Sequence, residues 1–267
     1  MSFSPASVVE ALQLSPRLRR ISLRVDDPES LAIPTIGDCA VGVYFDPGTP
    51  EEGRTYTVRH HDGDHIDLDI ALHSGGRGGA WAQTATAGDR VGLDHARAWY
   101  RPPRAIARQL LVTDLAGLPA AARIVEETPP TVATTVIIEA ADHHDLDYLP
   151  VRPGVAVVPS LGTGNGVAPS ALADLVRQAD LPAYGYCWFA GEAAASREVR
   201  NYVRGRGWTI DRYDITGYWR FDSAAWDARF ALVSDEVVAV YQRAIAAGKG
   251  DKMAFEEFED TLERMGL

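Results

Sequence analysis

The sequence predicts a β plus α/β protein: a small N-terminal antiparallel barrel, then a parallel α/β domain, then a helical C-terminal tail. Three observations carry that reading. From residue 17 to about 100, short strand-like segments follow one another between Gly, Asp and Pro turns. From 105 to 221, buried-type strands alternate with helical segments, the rhythm of a parallel sheet. From 222 to 267 the pattern is helical. The expected division is therefore 1–104, 105–221 and 222–267, and a chain of 267 residues is long enough for more than one core.

The strands of the first region are RLRRISLRV, CAVGVYF, RTYTVRHH, HIDLDIALH and DRVGLDH, of which the fourth alternates cleanly through Ile66, Leu68, Ile70 and Leu72. The segment RPPR, Arg101 to Arg104, interrupts the pattern and is expected to act as a hinge. Beyond it QLLVTD, TTVIIEA, GVAVVPS, AYGYCWFAG and the stretch ending GYWR read as strands. LPAAARIVEET, APSALADLVRQAD and EAAASREVRNYVRGRG read as the intervening helices. In the tail, SAAWDARFALVSDEVVAVYQRAIAAG and MAFEEFEDTLERMGL are helical on either side of a GKGDK break.

Composition excludes several classes. Hydrophobic content of 46% and charged content of 24% are globular values, so disorder is not expected. Apolar runs are too short to span a bilayer, and MSFSPASVVE has no basic segment leading an apolar core, so neither membrane insertion nor a secretory signal is expected. The formal charge of −11 argues against general nucleic-acid binding while leaving room for a local anion site. With 24 Arg and only Lys249 and Lys252 as lysines, such a site outside the tail must use arginine or backbone amides. Cys39 and Cys187 stand alone, without metal-ligand spacing, which fits two free thiols in a cytoplasmic chain. His60, His61, His65, His143 and His144 read as solvated or locally bonded, and no metal site is expected.

Five segments could carry chemistry. RTYTVRHH places Arg54, Tyr56 and Val58 on one face of a strand and Thr55, Thr57 and Arg59 on the other. HSGGRGGAWA, residues 73–82, can turn amide groups onto a phosphate, with a helix starting near Ala80 adding its positive end. SLGTGNGVAPSAL carries Gly162, Gly164 and Gly166 at G-x-G-x-G spacing, which is not the dinucleotide fingerprint and follows the third strand rather than the first. FAGEAAASREVR leads through Gly191 into a helix with Glu192 in its first turn, where an acid complements the helix dipole or meets a ligand. GYWRFD ends the last strand with aromatics of the kind that fill cores.

Taken in order, the sequence resembles the siderophore-interacting protein family, ferric-siderophore reductases of the ferredoxin-reductase superfamily, over roughly residues 15–221. The matching pieces are R-x-Y-T-x-R at Arg54, Tyr56, Thr57 and Arg59; D-x-x-x-H at Asp69 and His73; Trp81-Ala82; A-G-D-R-V-G-L from Ala87 to Leu93; D-x-x-x-L-P-A at Asp114 and Leu118 to Ala120; A-G-E-A from Ala190 to Ala193; and G-Y-W-R from Gly217 to Arg220.

The resemblance implies a six-stranded barrel that binds FAD, a second domain that binds NADPH or NADH, and a ferric siderophore as substrate. In it Tyr56 stacks on the isoalloxazine and Thr57 bonds near its N5 edge, the two catalytic contacts. Arg54 and Arg59 hold the diphosphate, and His73 with the loop through Gly75, Gly76, Gly78, Gly79 and Trp81 completes the cradle. Asp69, Asp114, Gly191 and Glu192 are further cofactor-site positions, and Arg220 is the expected substrate anchor. Arg197, Arg200 and Arg204 are candidates for a 2′-phosphate, with a lean towards NADPH. The chain departs from the family at Gly76-Arg77-Gly78-Gly79, where G-P-A-S is usual, and at Leu115 and Ala116, where Glu and Thr are usual. Two other functions stay open: a reductase of a protein electron acceptor, and a flavin- or siderophore-binding protein without efficient hydride transfer.

Overall fold

The alternation of Ile66, Leu68 and Ile70 turns these three side chains into the inside of a closed barrel. The computed structural model describes residues 4–46, 53–73, 76–179, 181 and 185–267. Strands β1 (Ser4–Ser15), β2 (Leu18–Val25), β3 (Ala40–Tyr44), β4 (Arg54–Asp62), β5 (His65–Ala71) and β6 (Arg90–Arg97) close in the order β1-β2-β5-β4-β3-β6, with antiparallel pairing. The barrel is six-stranded, as the resemblance implies. Its longest strand, β1, is the one that the pattern from residue 17 onward does not reveal. Register shifts after Val8 and after Gln13 break its period-2 alternation, so SPASVVEALQLS shows no clean apolar face.

The second lobe is a parallel sheet of β7 (Arg108–Thr113), β8 (Ala133–Ala140), β9 (Val155–Leu161), β10 (Tyr186–Glu192) and β11 (Tyr213–Trp219), in the order β11-β10-β7-β8-β9. Successive residues of β7 face opposite layers. Leu111 packs with Val136, Ile138 and helix α3 (Leu118–Glu127) on one side. Leu110 and Val112 pack with Val176 of α5 (Leu172–Gln178) and with Val199 and Val203 of α6 (Ala193–Gly205) on the other. Short helices α1 (Pro28–Leu31), α2 (Arg77–Thr84) and α4 (His143–Leu146) complete this part.

Residues 1–218 form one compact unit and 219–267 a second. Barrel and sheet are thus two lobes of the first unit, and the link between them is held by buried carboxylates. Asp38 accepts from the Trp99 and Tyr100 amides (3.0 and 2.8 Å) and from Trp188 Nε1 (3.0 Å). Asp214 accepts from the Arg101 amide at 3.0 Å and from the Tyr186 hydroxyl. The expected hinge at Arg101–Arg104 therefore begins with a backbone amide clamped to the sheet.

In the second unit the first predicted tail helix is broken at residues 231–233 into α7 (Ser223–Phe230) and α8 (Ser234–Ala246), followed by α9 (Asp251–Arg264). Val237, Leu262 and Leu267 form its core with Trp226, Phe230 and Phe258. Among the described residues, no helix is long and apolar enough to cross a membrane, and no group of three or more His, Cys, Asp or Glu side chains could hold a metal ion.

Candidate functional site

On β4, three consecutive residues, Thr57, Val58 and Arg59, are buried, which a solvated strand cannot be. Val58 fills the barrel, while α3 lies along the other face and Arg123 donates to the Val58 carbonyl at 2.6 Å. The two faces expected for this strand are both covered at this point. Its register shift between Val58 and His60 then releases the histidines to solvent.

The glycine segment meets this strand at Tyr56. Helix α2 begins at Arg77, three residues before the expected start, so Gly78 and Gly79 lie in its first turn. A Cβ on Gly78 would come within 1.6 Å of the Tyr56 hydroxyl oxygen, so only glycine lets helix and phenol share this space. Phe45 stands between Tyr56 and Trp81, its ring centroid 6.4 and 4.9 Å from theirs. Burial pushes the Tyr56 phenol pKa up, Arg54 opposing. Gly76 caps α2 at φ 93° with no side chain to satisfy the first-turn amides, and His73 lies against Gly76 and Gly79. Gly75 lies outside the described residues. Arg54 is exposed and donates to the Gly53 carbonyl at 2.9 Å.

Other predicted site residues already have protein partners. Arg59 forks onto Glu126 of α3 at 2.7 and 2.6 Å and donates from Nε to the Tyr148 hydroxyl at 3.1 Å. Asp69 receives a bidentate pair from Arg20, both bonds 2.8 Å, and the Tyr148 hydroxyl as well. In this structure Arg59 bridges the barrel to the second lobe through Glu126 and Tyr148, whose proximity no local pattern announces.

At the carboxyl ends of the parallel strands, Asp114 is buried, accepts from the Ala116 amide at 2.9 Å and lies against Gly191, where a Cβ would stand 3.0 Å from its Oδ2. Glu192 is the N-cap of α6 rather than a first-turn residue, accepting from the amides of Ala194 (2.6 Å) and Ala195 (3.0 Å). The G-x-G-x-G loop closes over this edge. Asn165, at φ 56°, accepts from the Leu115 amide at 2.9 Å, and its amide group donates to Glu139 O at 3.3 Å. The Glu139 carboxylate, itself buried, accepts from Ser170 Oγ at 3.0 Å and from the Ala171 amide. Asn165 and Glu139 are the residues sequence reading missed; the run of glycines marks their loop, but nothing local marks their partners. Of the α6 arginines, Arg200 is buried and Arg204 donates to the Tyr213 hydroxyl at 3.1 Å. Arg220 belongs to the second unit, its guanidinium 4.0 Å above the Trp226 ring.

The residues present fit a flavin dinucleotide. The Thr57 hydroxyl is buried with no hydrogen-bond partner among the described residues, Tyr56 offers an aromatic surface beside it, and the uncapped glycine turn of α2 suits a phosphate.

Residues 44–98 match the profile of the siderophore-interacting FAD-binding domain, and residues 106–222 that of the siderophore-interacting protein. An uncharacterized protein of Mycobacterium tuberculosis is 32% identical over 189 residues, covering 62% of this chain and 64% of its own length, so the chain spans under two thirds of that relative. The NADPH-dependent ferric-chelate reductase of Escherichia coli is 25% identical over 183 residues, 67% of this chain and 70% of that protein. Among solved structures, a siderophore utilization protein from T. fusca is similar at a TM-score of 0.72 and 28% identity, covering 83% of this chain and 94% of the other. A ferredoxin NADP+ reductase from Neisseria gonorrhoeae, solved with FAD and NADP, shares the fold at a TM-score of 0.63 and 12% identity, covering 82% of this chain and all of the other. With both of its lobes matched by profiles of one family, the chain belongs to the siderophore-interacting proteins.

Proposed function

We propose that this protein is an FAD-dependent, NAD(P)H-driven reductase of ferric siderophores, with residues 1–104 serving the flavin, 105–221 the nicotinamide, and 222–267 a helical extension. The observation that carries the reading is the close approach of the Gly78 turn to Tyr56 on β4, next to which in the chain stands Thr57 with a buried hydroxyl that lacks a partner among the described residues. The chemistry supplied by bound FAD is the conversion of a two-electron hydride donor into the one-electron steps that Fe(III) accepts. Siderophores bind iron through hard ligands that favour the ferric state, so reduction weakens the chelate.

The chain's own residues have separable tasks in this reading. Tyr56 orients the ring, the Thr57 hydroxyl bonds its polar edge, and Arg54 with the first-turn amides of α2 and His73 holds the diphosphate. Arg59 and Asp69 act on the cofactor only through the seam, by fixing the barrel against α3 and Tyr148. Asp114, Gly191 and Glu192 border the nicotinamide approach. The E. coli relative's use of NADPH supports the same preference here. Arg220 is the proposed anchor for an anionic chelate; Arg220→Ala then raises the KM for ferric siderophore several-fold and leaves anaerobic reduction of the flavin by NAD(P)H unchanged.

The deciding experiment is a spectrum. Purified or FAD-reconstituted protein should be yellow and bleach anaerobically on addition of NADPH or NADH, then recover its colour with ferric siderophore. Protein that stays yellow under NAD(P)H supports a binding protein instead, and protein that cannot be reconstituted with FAD removes the reading altogether.

A further inference from the structure

Two buried hydroxyls in the first unit have no hydrogen-bond partner among the described residues: Thr57 Oγ1 on β4 and the Tyr218 hydroxyl at the end of β11. One comes from the barrel and the other from the sheet, yet they stand side by side, at most weakly bonded to each other and to no other described group. Buried hydroxyls are rarely left unpaired, because the loss of water is not repaid. Two of them together, drawn from different lobes, are a polar spot waiting for a polar group.

The Tyr218 ring cannot easily swing away to find water. It lies 6.2 Å from Trp99 and 6.5 Å from Trp188, edge-on to the latter. The buried Asp38 carboxylate in turn fixes both tryptophans, through the Trp99 amide at 3.0 Å and the Trp188 indole at 3.0 Å. Desolvation raises the Tyr218 phenol pKa well above its ordinary value, so it stays a neutral donor. The core-filling role expected for the aromatics of GYWR accounts for the ring and leaves the hydroxyl unexplained.

We propose that Tyr218 is a second positioning contact for the flavin, its hydroxyl joining that of Thr57 in hydrogen bonding the polar edge of the isoalloxazine. The inference rests on the reading of the barrel as the FAD site and extends that site to the sheet. An isoalloxazine edge carries acceptors and a donor, the complement that two hydroxyls require. Bound cofactor then ties β4 to β11, and its orientation is set from both lobes.

The full-length chain, freed of flavin, tests this with Tyr218→Phe, Thr57→Val and the double variant, read by FAD titration and by melting of the apoprotein. Tyr218→Phe removes at most the weak contact with Thr57, so the apoprotein should melt at nearly the same or a higher temperature, while the Kd for FAD rises about tenfold. The double variant should weaken binding by less than the product of the single effects, since both hydroxyls serve one ligand edge. An unchanged Kd in Tyr218→Phe overturns the proposal whatever the melting temperature. A raised Kd accompanied by apoprotein melting several degrees lower assigns the loss to packing and overturns it as well. Failure of the unaltered protein to bind FAD would instead remove the functional reading on which the proposal stands.

Discussion

The segment of β4 and α2 around Tyr56, Thr57 and Gly78 and the sheet edge at Asp114, Asn165, Glu139 and Glu192 solve opposite problems. Along β4 and α2, side chains are withheld or left unpaired: glycine where a Cβ would strike Tyr56, no side chain at the α2 cap, and a buried threonine hydroxyl without a partner among the described residues. At the sheet edge, polar groups answer one another, with Asn165 bonded to the Leu115 amide and to the Glu139 carbonyl, and Glu192 to its own helix. In the proposed function the first surface is completed by a ligand. The second is already complete and presents a preset shape to one. A tightly held flavin and a nicotinamide that comes and goes are the partners these two conditions suit.

The strongest way to break this contrast is Gly78→Val. The added side chain must displace Tyr56, which stands 1.6 Å from the Cβ position, and overpacking of this kind costs roughly 1 to 3 kcal/mol. FAD affinity should fall about a hundredfold, measured by fluorescence titration, because ring surface and phosphate turn are disturbed together. Retention of FAD at the original affinity would place the cofactor elsewhere.

Arg59 and Arg54, five residues apart on one strand, sharpen the contrast within β4. Arg59 is 7% exposed and bound to Glu126 and Tyr148, whereas Arg54 is exposed and donates to the Gly53 carbonyl. Arg59→Ala should lower unfolding stability by about 2 kcal/mol, less than a fully buried pair because Glu126 keeps contact with water, and should change FAD affinity less than threefold. Arg54→Ala should do the reverse, weakening FAD about tenfold with stability changed by under about 0.5 kcal/mol. Urea unfolding and FAD titration on both variants check the assignment. The opposite outcome would return Arg59 to the diphosphate.

These cases mark what the sequence discloses. Ile66, Leu68 and Ile70 declare a barrel strand because alternation is local, and β7 to β11 declare a parallel sheet because strand and helix alternate in length and apolarity. Strand β1 stays hidden because two register shifts scramble its faces. The site is legible as residue types and not as partnerships. Glycines between 76 and 79 signal a close approach, but that Tyr56 is what approaches depends on barrel closure. Glu126, the partner of Arg59, is 67 positions away, and Asn165, the partner of Leu115, is 50 away. Such pairs follow from tertiary packing, within a lobe or between lobes, which no short window contains.

Asn165 tests the sheet edge at a smaller scale. Its side chain bridges the ends of β7 and β8 by accepting from the Leu115 amide and donating to the Glu139 carbonyl, and it does so from a left-handed backbone that asparagine tolerates. Asn165→Ala removes both of these bonds and the local one to the Thr163 carbonyl, and strains φ 56°, so about 1 kcal/mol of stability should be lost. The KM for NAD(P)H should rise several-fold as the loop loosens, with FAD affinity unchanged. A variant that loses FAD equally would mean that the two surfaces are not independent.

The smallest effect is expected at Glu192, and it separates a cap from a ligand contact. The carboxylate accepts from the Ala194 and Ala195 amides and carries negative charge at the positive end of α6. Glu192→Gln keeps an acceptor of nearly the same reach and removes only the charge. A cap role therefore predicts a loss of about 0.5 kcal/mol in thermal or urea unfolding, smaller at high salt, with the kinetics of flavin reduction by NAD(P)H untouched. If Glu192 meets the nicotinamide instead, stability should hardly move while the rate of anaerobic flavin reduction at saturating NAD(P)H changes several-fold. The hydrogen bonds to α6 favour the first result, because a carboxylate already oriented by two amides of its own helix is held back from a mobile ligand.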